Sequence, residues 1–214
     1  MPGLNKLLTL YKVYFAPLLP LLAGLYRFRY LNTGLRWLLA FVIFGQLTEI
    51  AARMVVIMGY QNIPLMHLYV PVKFILFSMV YRYYLDGFVN RYVIMTVAVL
   101  FVLFSVVNSL FIQSIHEYNS YVRAIGALIL AVYALLWFMK TLKNLNIPRL
   151  RDEPFVWINT GAIFYFSGSF FVFILSKLIL AQSVSLMAKA FWISSSLLIL
   201  FYLLIAVGFW KSKK

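Results

Sequence analysis

The chain has 214 residues, 64% of them hydrophobic and 11% charged, and a formal net charge of +14. That composition excludes a water-soluble globule and describes an all-α polytopic membrane protein, because an apolar helix of about 20 residues crosses a hydrocarbon core of roughly 30 Å. The absence of cysteine removes disulfides, thiolate catalysis and cysteine-held metals, and the two histidines are too few for most histidine-rich metal centres.

Polar stretches cut the chain into seven segments of spanning length, which predicts a single seven-helix transmembrane domain over 1–214. The first span, 7–26, carries Pro17 and Pro20, which remove backbone donors and predict a kink. No small-residue cleavage site separates Lys6 from Arg27, so this segment reads as a retained helix and not as a signal peptide. Spans 35–58 and 64–85 follow, joined by a very short turn at Gly59 to Ile63. Span 92–112 leads through the polar Gln113 to Tyr118 into span 119–139. Span 154–180 opens on Pro154 directly after Asp152 and Glu153, a good arrangement for a helix N-terminus. The last span, 186–209, ends before Trp210 and a basic tail.

The cations gather in alternate connections: Arg27, Arg29 and Arg36; Arg82 and Arg91; Lys140, Lys143, Arg149 and Arg151; Lys211, Lys213 and Lys214. By the positive-inside rule the N-terminus is outside and the C-terminus cytoplasmic, and the net charge reflects the bilayer as partner, with no nucleic acid involved. Trp37, Trp137, Trp157 and Trp210 fall at the predicted inner ends of spans, at headgroup level. The connection 140–153 is the longest and most charged; it reads as a solvated orientation signal or as a contact surface for a cytoplasmic or membrane protein partner.

The candidate site lies among the ionisable residues inside the spans. Each such group costs about 2.5 to 3.5 kcal/mol on insertion scales, so it faces a protein interior or a watery cavity. Gln46, Glu49 and Arg53 share one face of the second span, with Glu49 and Arg53 spaced to pair. His67 is in the first turn of the third span and Lys73 is the deepest cation, for which Glu49 is the natural counter-ion. Pro71 predicts a kink beside Lys73 and a freed carbonyl. Asn108, Arg123 and Lys177 lie at matching levels on later spans, with His116 and Glu117 in the outer loop between the fourth and fifth. Arg53, Lys73, Arg123 and Lys177 outnumber Glu49 and Glu117, so a shared outward cavity favours a small anion or a lipid phosphate. The competing reading is a buried charge cluster that only fixes how spans two and three pack, with Arg123, Lys177 and Lys189 reaching the headgroups. Gly161, Gly168, Ser169 and Ser194 to Ser196 read as close-packing positions.

No cofactor or metal set stands out. His116-Glu117 is followed by Ser120 where a zinc protease needs its second histidine, and no Gly-x-Ser-x-Gly elbow or phosphate loop occurs. Lys189 is at the outer mouth of the last span, the wrong depth for a retinal Schiff base. A lipid hydrolase built from His67, Glu49 and a serine is the remaining enzymatic reading; none of these residues carries a recognisable catalytic motif.

At Leu47-Thr48-Glu49-Ile50, at His67-Leu68-Tyr69-Val70-Pro71-Val72-Lys73-Phe74 and from Trp157 to Gly168, the chain resembles a family of uncharacterised seven-span membrane proteins of Bacteroidetes-type bacteria. The resemblance covers nearly the whole length and implies the bacterial inner membrane. It carries no activity. It also implies an acid two residues after the third-span proline, where this chain has Lys73. Topology and the outer charge cluster together predict a receptor-like or sensory protein with an outward pocket. A proton-linked transporter using Glu49 and Lys73 is the alternative.

Overall fold

The computed structural model describes residues 15–144 and 150–212. Among them are eight α-helices: α1 Leu18–Tyr26, α2 Thr33–Ile57, α3 Ile63–Tyr84, α4 Arg91–Val107, α5 Ser120–Asn144, α6 Pro154–Ile174, α7 Ser176–Gln182 and α8 Val184–Trp210. Short 3-10 turns occupy Phe28–Tyr30 and Leu150–Asp152, and a π-helical turn, Asn108–Ile112, continues α4. Among the described residues six helices are long and apolar enough to cross a membrane: α2, α3, α4 with its π turn, α5, α6 and α8.

Local chemistry sets the helix ends. The Asn32 side chain accepts from the Leu35 amide to start α2, and Asn90 accepts from Tyr92 to start α4. Proline occupies the first turn of α3 and of α6, where a missing N–H costs nothing. Gly59 and Gly87 follow the C-termini of α2 and α3 with φ of 84° and 75°, a left-handed backbone that favours glycine. These two turns mark the opposite ends of the bundle, called here the Gly59 end and the Gly87 end. At the Gly87 end the Lys140 ammonium donates to the carbonyls of Tyr84 and Asp86, at 2.9 and 2.6 Å, closing the end of α3 against α5.

Three of the expected spans contain a proline or a break that the structure bears on. Of the expected first span, 7–26, residues 7–14 lie outside the described residues, and the described part holds a nine-residue helix. Phe15 is helical, Ala16 and Pro17 form a turn, and Pro20 sits in the first turn of α1, where proline is tolerated, so the chain departs from a regular helix beside Pro17. The expected 154–180 span ends at Ile174, and α7 is a separate element because the chain breaks at Leu175, where the Ser176 hydroxyl donates to the Phe173 carbonyl. In α3, by contrast, the helix runs unbroken through Pro71.

The helices pack in a ring, α1, α2, α3, α5, α6, α8 and back to α1, with α4 against α3 and α5. Phe77 of α3 sits at its centre, 2% exposed, against Phe41 of α2, Phe166 of α6 and Phe201 of α8. Toward the Gly87 end Tyr81 donates to Asn159 Oδ1 (2.9 Å), and Asn159 Nδ2 donates to the Ala134 carbonyl (2.9 Å), so three helices share one buried chain of hydrogen bonds. All four of Trp37, Trp137, Trp157 and Trp210 fall near helix ends on that same side.

Backbone approach between α6 and α8 depends on glycine. A Cβ at Gly161 would stand 2.8 Å from the Phe201 ring, and one at Gly208 would stand 2.5 Å from Ile158 and 2.9 Å from the Pro154 carbonyl. Ser169 and Ser194 join the same helices by a 3.0 Å hydrogen bond. These are the packing roles expected of Gly161 and Ser169. Gly208→Ala is predicted to lower stability by about 1–3 kcal/mol, because a backbone carbonyl cannot retreat as a side chain can. Gly45→Ala, where the nearest atoms are 3.8 Å away, is predicted to be neutral or to stabilise by up to about 1 kcal/mol through helix propensity. Thermal unfolding of the two variants in detergent checks both signs.

Candidate functional site

One face of α3 carries Tyr69, Lys73, Phe77 and Tyr81 at four-residue spacing, which in a helix is one stripe, and here the stripe faces the middle of the ring. Lys73 is therefore aimed inward. Its ammonium donates to the Tyr165 hydroxyl of α6 at 3.2 Å and lies 4.8 Å from the centre of that ring and 5.3 Å from that of Phe166. An ammonium over aromatic faces in a low-dielectric setting gains from the ring quadrupoles what it lacks from water. The hydrogen bond of Lys73 goes to Tyr165, and the expected counter-ion Glu49 lines the neighbouring cavity.

Arg123, in the first turn of α5, approaches the same region. Its Nε donates to Asn119 Oδ1 (2.8 Å) and its Nη1 to the Tyr118 hydroxyl (3.4 Å), with the guanidinium over the Tyr118 and Phe173 rings. Asn119, 1% exposed, is fixed in turn by the Met66 carbonyl, so α3 and α5 jointly position the guanidinium. Burial pushes the Tyr118 phenol up from its ordinary range, against the pull of the Arg123 charge beside it.

Two cavities meet at a wall made of Tyr69, Arg123 and Tyr165. One, of about 60 Å³, holds Lys73 and Ser169 among the rings of Phe74, Phe101, Phe166 and Phe173. The other, of about 200 Å³, holds Glu49, Thr48 and Tyr202 and extends to Pro17 at the start of α1. Three of the expected site residues, Glu49, Lys73 and Arg123, are thus brought together around one wall.

The others go elsewhere. Arg53 is exposed on α2, and Gln46 lies one turn from Glu49 with its Oε1 buried and without a hydrogen-bond partner among the described residues. Lys177 is exposed on α7 with its amine 5.0 Å over the Tyr121 ring. Asn108 is fully buried and closes the π turn: its side chain donates to Gln113 Oε1 (3.3 Å), and its carbonyl accepts from the Gln113 amide (2.7 Å). His67, 7% exposed, turns away from both cavities; Nδ1 is 2.8 Å from the Ser109 hydroxyl and Nε2 donates to the Glu117 carbonyl at 2.9 Å. A serine does stand beside His67, as a hydrolase would need, but Glu49 lines the 200 Å³ cavity, and the Glu117 carbonyl takes the place of an orienting acid. Residues 145–149 of the expected partner surface lie outside the described residues, and Lys140 at its start is held by α3 carbonyls.

Tyr69 and Tyr165 of the wall, and Tyr202 of the larger cavity, were not singled out from the sequence, because 15 tyrosines in an apolar chain make each one unremarkable. The usable signal was spacing: Tyr69 lies four residues before Lys73, and Tyr165 four before Ser169.

His67→Ala is predicted to lower stability by about 1–3 kcal/mol, since it leaves the Glu117 carbonyl and the Ser109 hydroxyl short of a partner and opens a void. Equilibrium unfolding in detergent reads this directly, and hydrogen exchange localises the loosening to residues 108–119. Comparison with models of known protein families, with curated proteins and with solved structures finds no match for this chain.

Proposed function

We propose that the chain is a receptor-like or sensory integral membrane protein that binds a small anionic or lipid ligand at the wall between the two cavities. In this reading the Gly59 end faces outward and the Gly87 end the cytoplasm, as the cation distribution requires. The segment 7–26 supplies a seventh span, and the membrane is a bacterial inner membrane, in line with the resemblance to seven-span proteins of Bacteroidetes-type bacteria. The observation that carries the reading is that Lys73 and Arg123, two cations within the bundle, border one cavity with neutral hydrogen-bond partners: Tyr165, Asn119 and Tyr118. Two charges held in this way attract an anion.

A second reading, a small proton-linked transporter, draws on the two cavities meeting at the Tyr69, Arg123 and Tyr165 wall, with Glu49 on one side and Lys73 on the other. Movement of the wall side chains would join them into a longer path.

Native mass spectrometry of the detergent-purified protein separates these ideas from a purely structural role. A stoichiometric anionic adduct on the wild type, reduced at least about tenfold in Lys73→Met, is the expected result, a loss of roughly 1.4 kcal/mol or more. An adduct retained unchanged in a folded Lys73→Met protein overturns the pocket. Uptake into proteoliposomes that follows a proton gradient, and is lost in Glu49→Gln, selects the transporter over the receptor.

A further inference from the structure

The 60 Å³ cavity narrows the ligand's chemistry further, on the strength of the pocket reading above. Among the described residues that line it are two cations, Lys73 and Arg123, and no acid. The Lys73 ammonium has three N–H groups and spends one on Tyr165; the Arg123 guanidinium has five and spends one on Asn119 and one on Tyr118. Several charged donors therefore remain for an acceptor at this place. A carboxylate offers about four lone-pair sites on two oxygens and takes such donors in pairs.

Size separates the candidates that charge alone admits. A cavity of about 150 Å³ lined by apolar side chains takes benzene, a six-carbon ring. In proportion, about 60 Å³ takes two or three non-hydrogen atoms. The three heavy atoms of a carboxylate match that space more closely than the five of a phosphate do. The two cavities share Tyr69, Arg123 and Tyr165, and the rest of a ligand can extend past these side chains into the 200 Å³ cavity, which Glu49 and Tyr202 also line.

We infer that the site takes a short-chain monocarboxylate, its carboxylate held between Lys73 and Arg123 and its chain directed past Tyr69 and Tyr165 into the larger cavity.

The test is thermal unfolding of the full-length protein in an uncharged detergent, at matched ionic strength, with sodium acetate, sodium butyrate, inorganic phosphate or chloride, and separately with phosphatidylglycerol in mixed micelles. Acetate and butyrate are expected to raise the midpoint saturably, by about 3–6 °C at tenfold excess over Kd. That shift should vanish in Lys73→Met and in Ala127→Leu, which fills the cavity from α5 while keeping both cations, and should persist in Lys177→Met, an exposed cation away from the wall. A shift produced by phosphate, chloride or phosphatidylglycerol and not by the carboxylates, and lost in Lys73→Met, overturns the carboxylate assignment while leaving an anion pocket in place. Equal midpoints with and without every anion, or shifts of equal size in wild type and both cavity variants, overturn the two together. If Lys73→Met fails to fold, Ala127→Leu alone decides.

Discussion

The approach of α6 to α8 holds the rest of the bundle in place. In a hydrocarbon solvent two apolar helices gain nothing from leaving water, so they associate only as closely as their side chains let dispersion and hydrogen bonds act. Gly161 and Gly168 on one helix and Gly208 on the other remove the side chains that would stand between them, and the Ser169–Ser194 hydrogen bond adds a directional contact. Helix α6 is thereby fixed in rotation, and the residues that it turns toward the middle of the ring are fixed with it: Tyr165 over Lys73, Phe166 against Phe77, and Asn159 between Tyr81 and Ala134. The polar site is thus positioned by close packing along the same helix: Tyr165 itself stacks on Phe201 of α8.

Along the ring axis the polar groups are stratified. Phe77 forms an aromatic floor under the Lys73 cavity, and the Tyr81–Asn159–Ala134 chain of hydrogen bonds lies beyond it toward the Gly87 end. The floor keeps two polar layers from exchanging partners, and it keeps the charged layer from draining to the other face. The two layers also differ in kind. The Tyr81 layer pairs neutral groups that satisfy one another, which favours a single rigid arrangement. At Lys73 and Arg123 charge is held by rings and hydroxyls, an arrangement a ligand can compete with.

How legible this was differs by residue type. Asn32 and Asn90 cap α2 and α4 just before the expected starts at 35 and 92, and the start of α6 was readable because Pro154 after Asp152 and Glu153 has a positional chemistry of its own. The extension of α5 to Asn144 was not, since Lys140 and Lys143 look like loop charges until the α3 carbonyls that Lys140 serves are in view. Nor was the break at Leu175, which sits in a run with no punctuating residue. Within the site, charged residues declare themselves in an apolar chain, and Glu49, Lys73 and Arg123 did gather as their depth implied. Arg53, His67, Asn108 and Lys177 did not join them, because depth along a helix leaves its rotation open, and rotation was set by glycines and tyrosines that carry no such flag.

The Gly59 turn also bears on how the chain enters the membrane. Between Ile57 and Ile63 the structure leaves only five residues, too few to cross a bilayer separately from the helices they join. Helices α2 and α3 therefore form one hairpin, which holds Glu49, Arg53, His67 and Lys73 on two adjoining arms. Each charged side chain entering alone would meet an insertion cost of about 2.5 to 3.5 kcal/mol. Entering side by side, the acid on one arm can offset the cation on the other before α5 and α6 arrive. In the folded bundle the Lys73 ammonium donates to Tyr165, a residue of a helix that comes later in the chain.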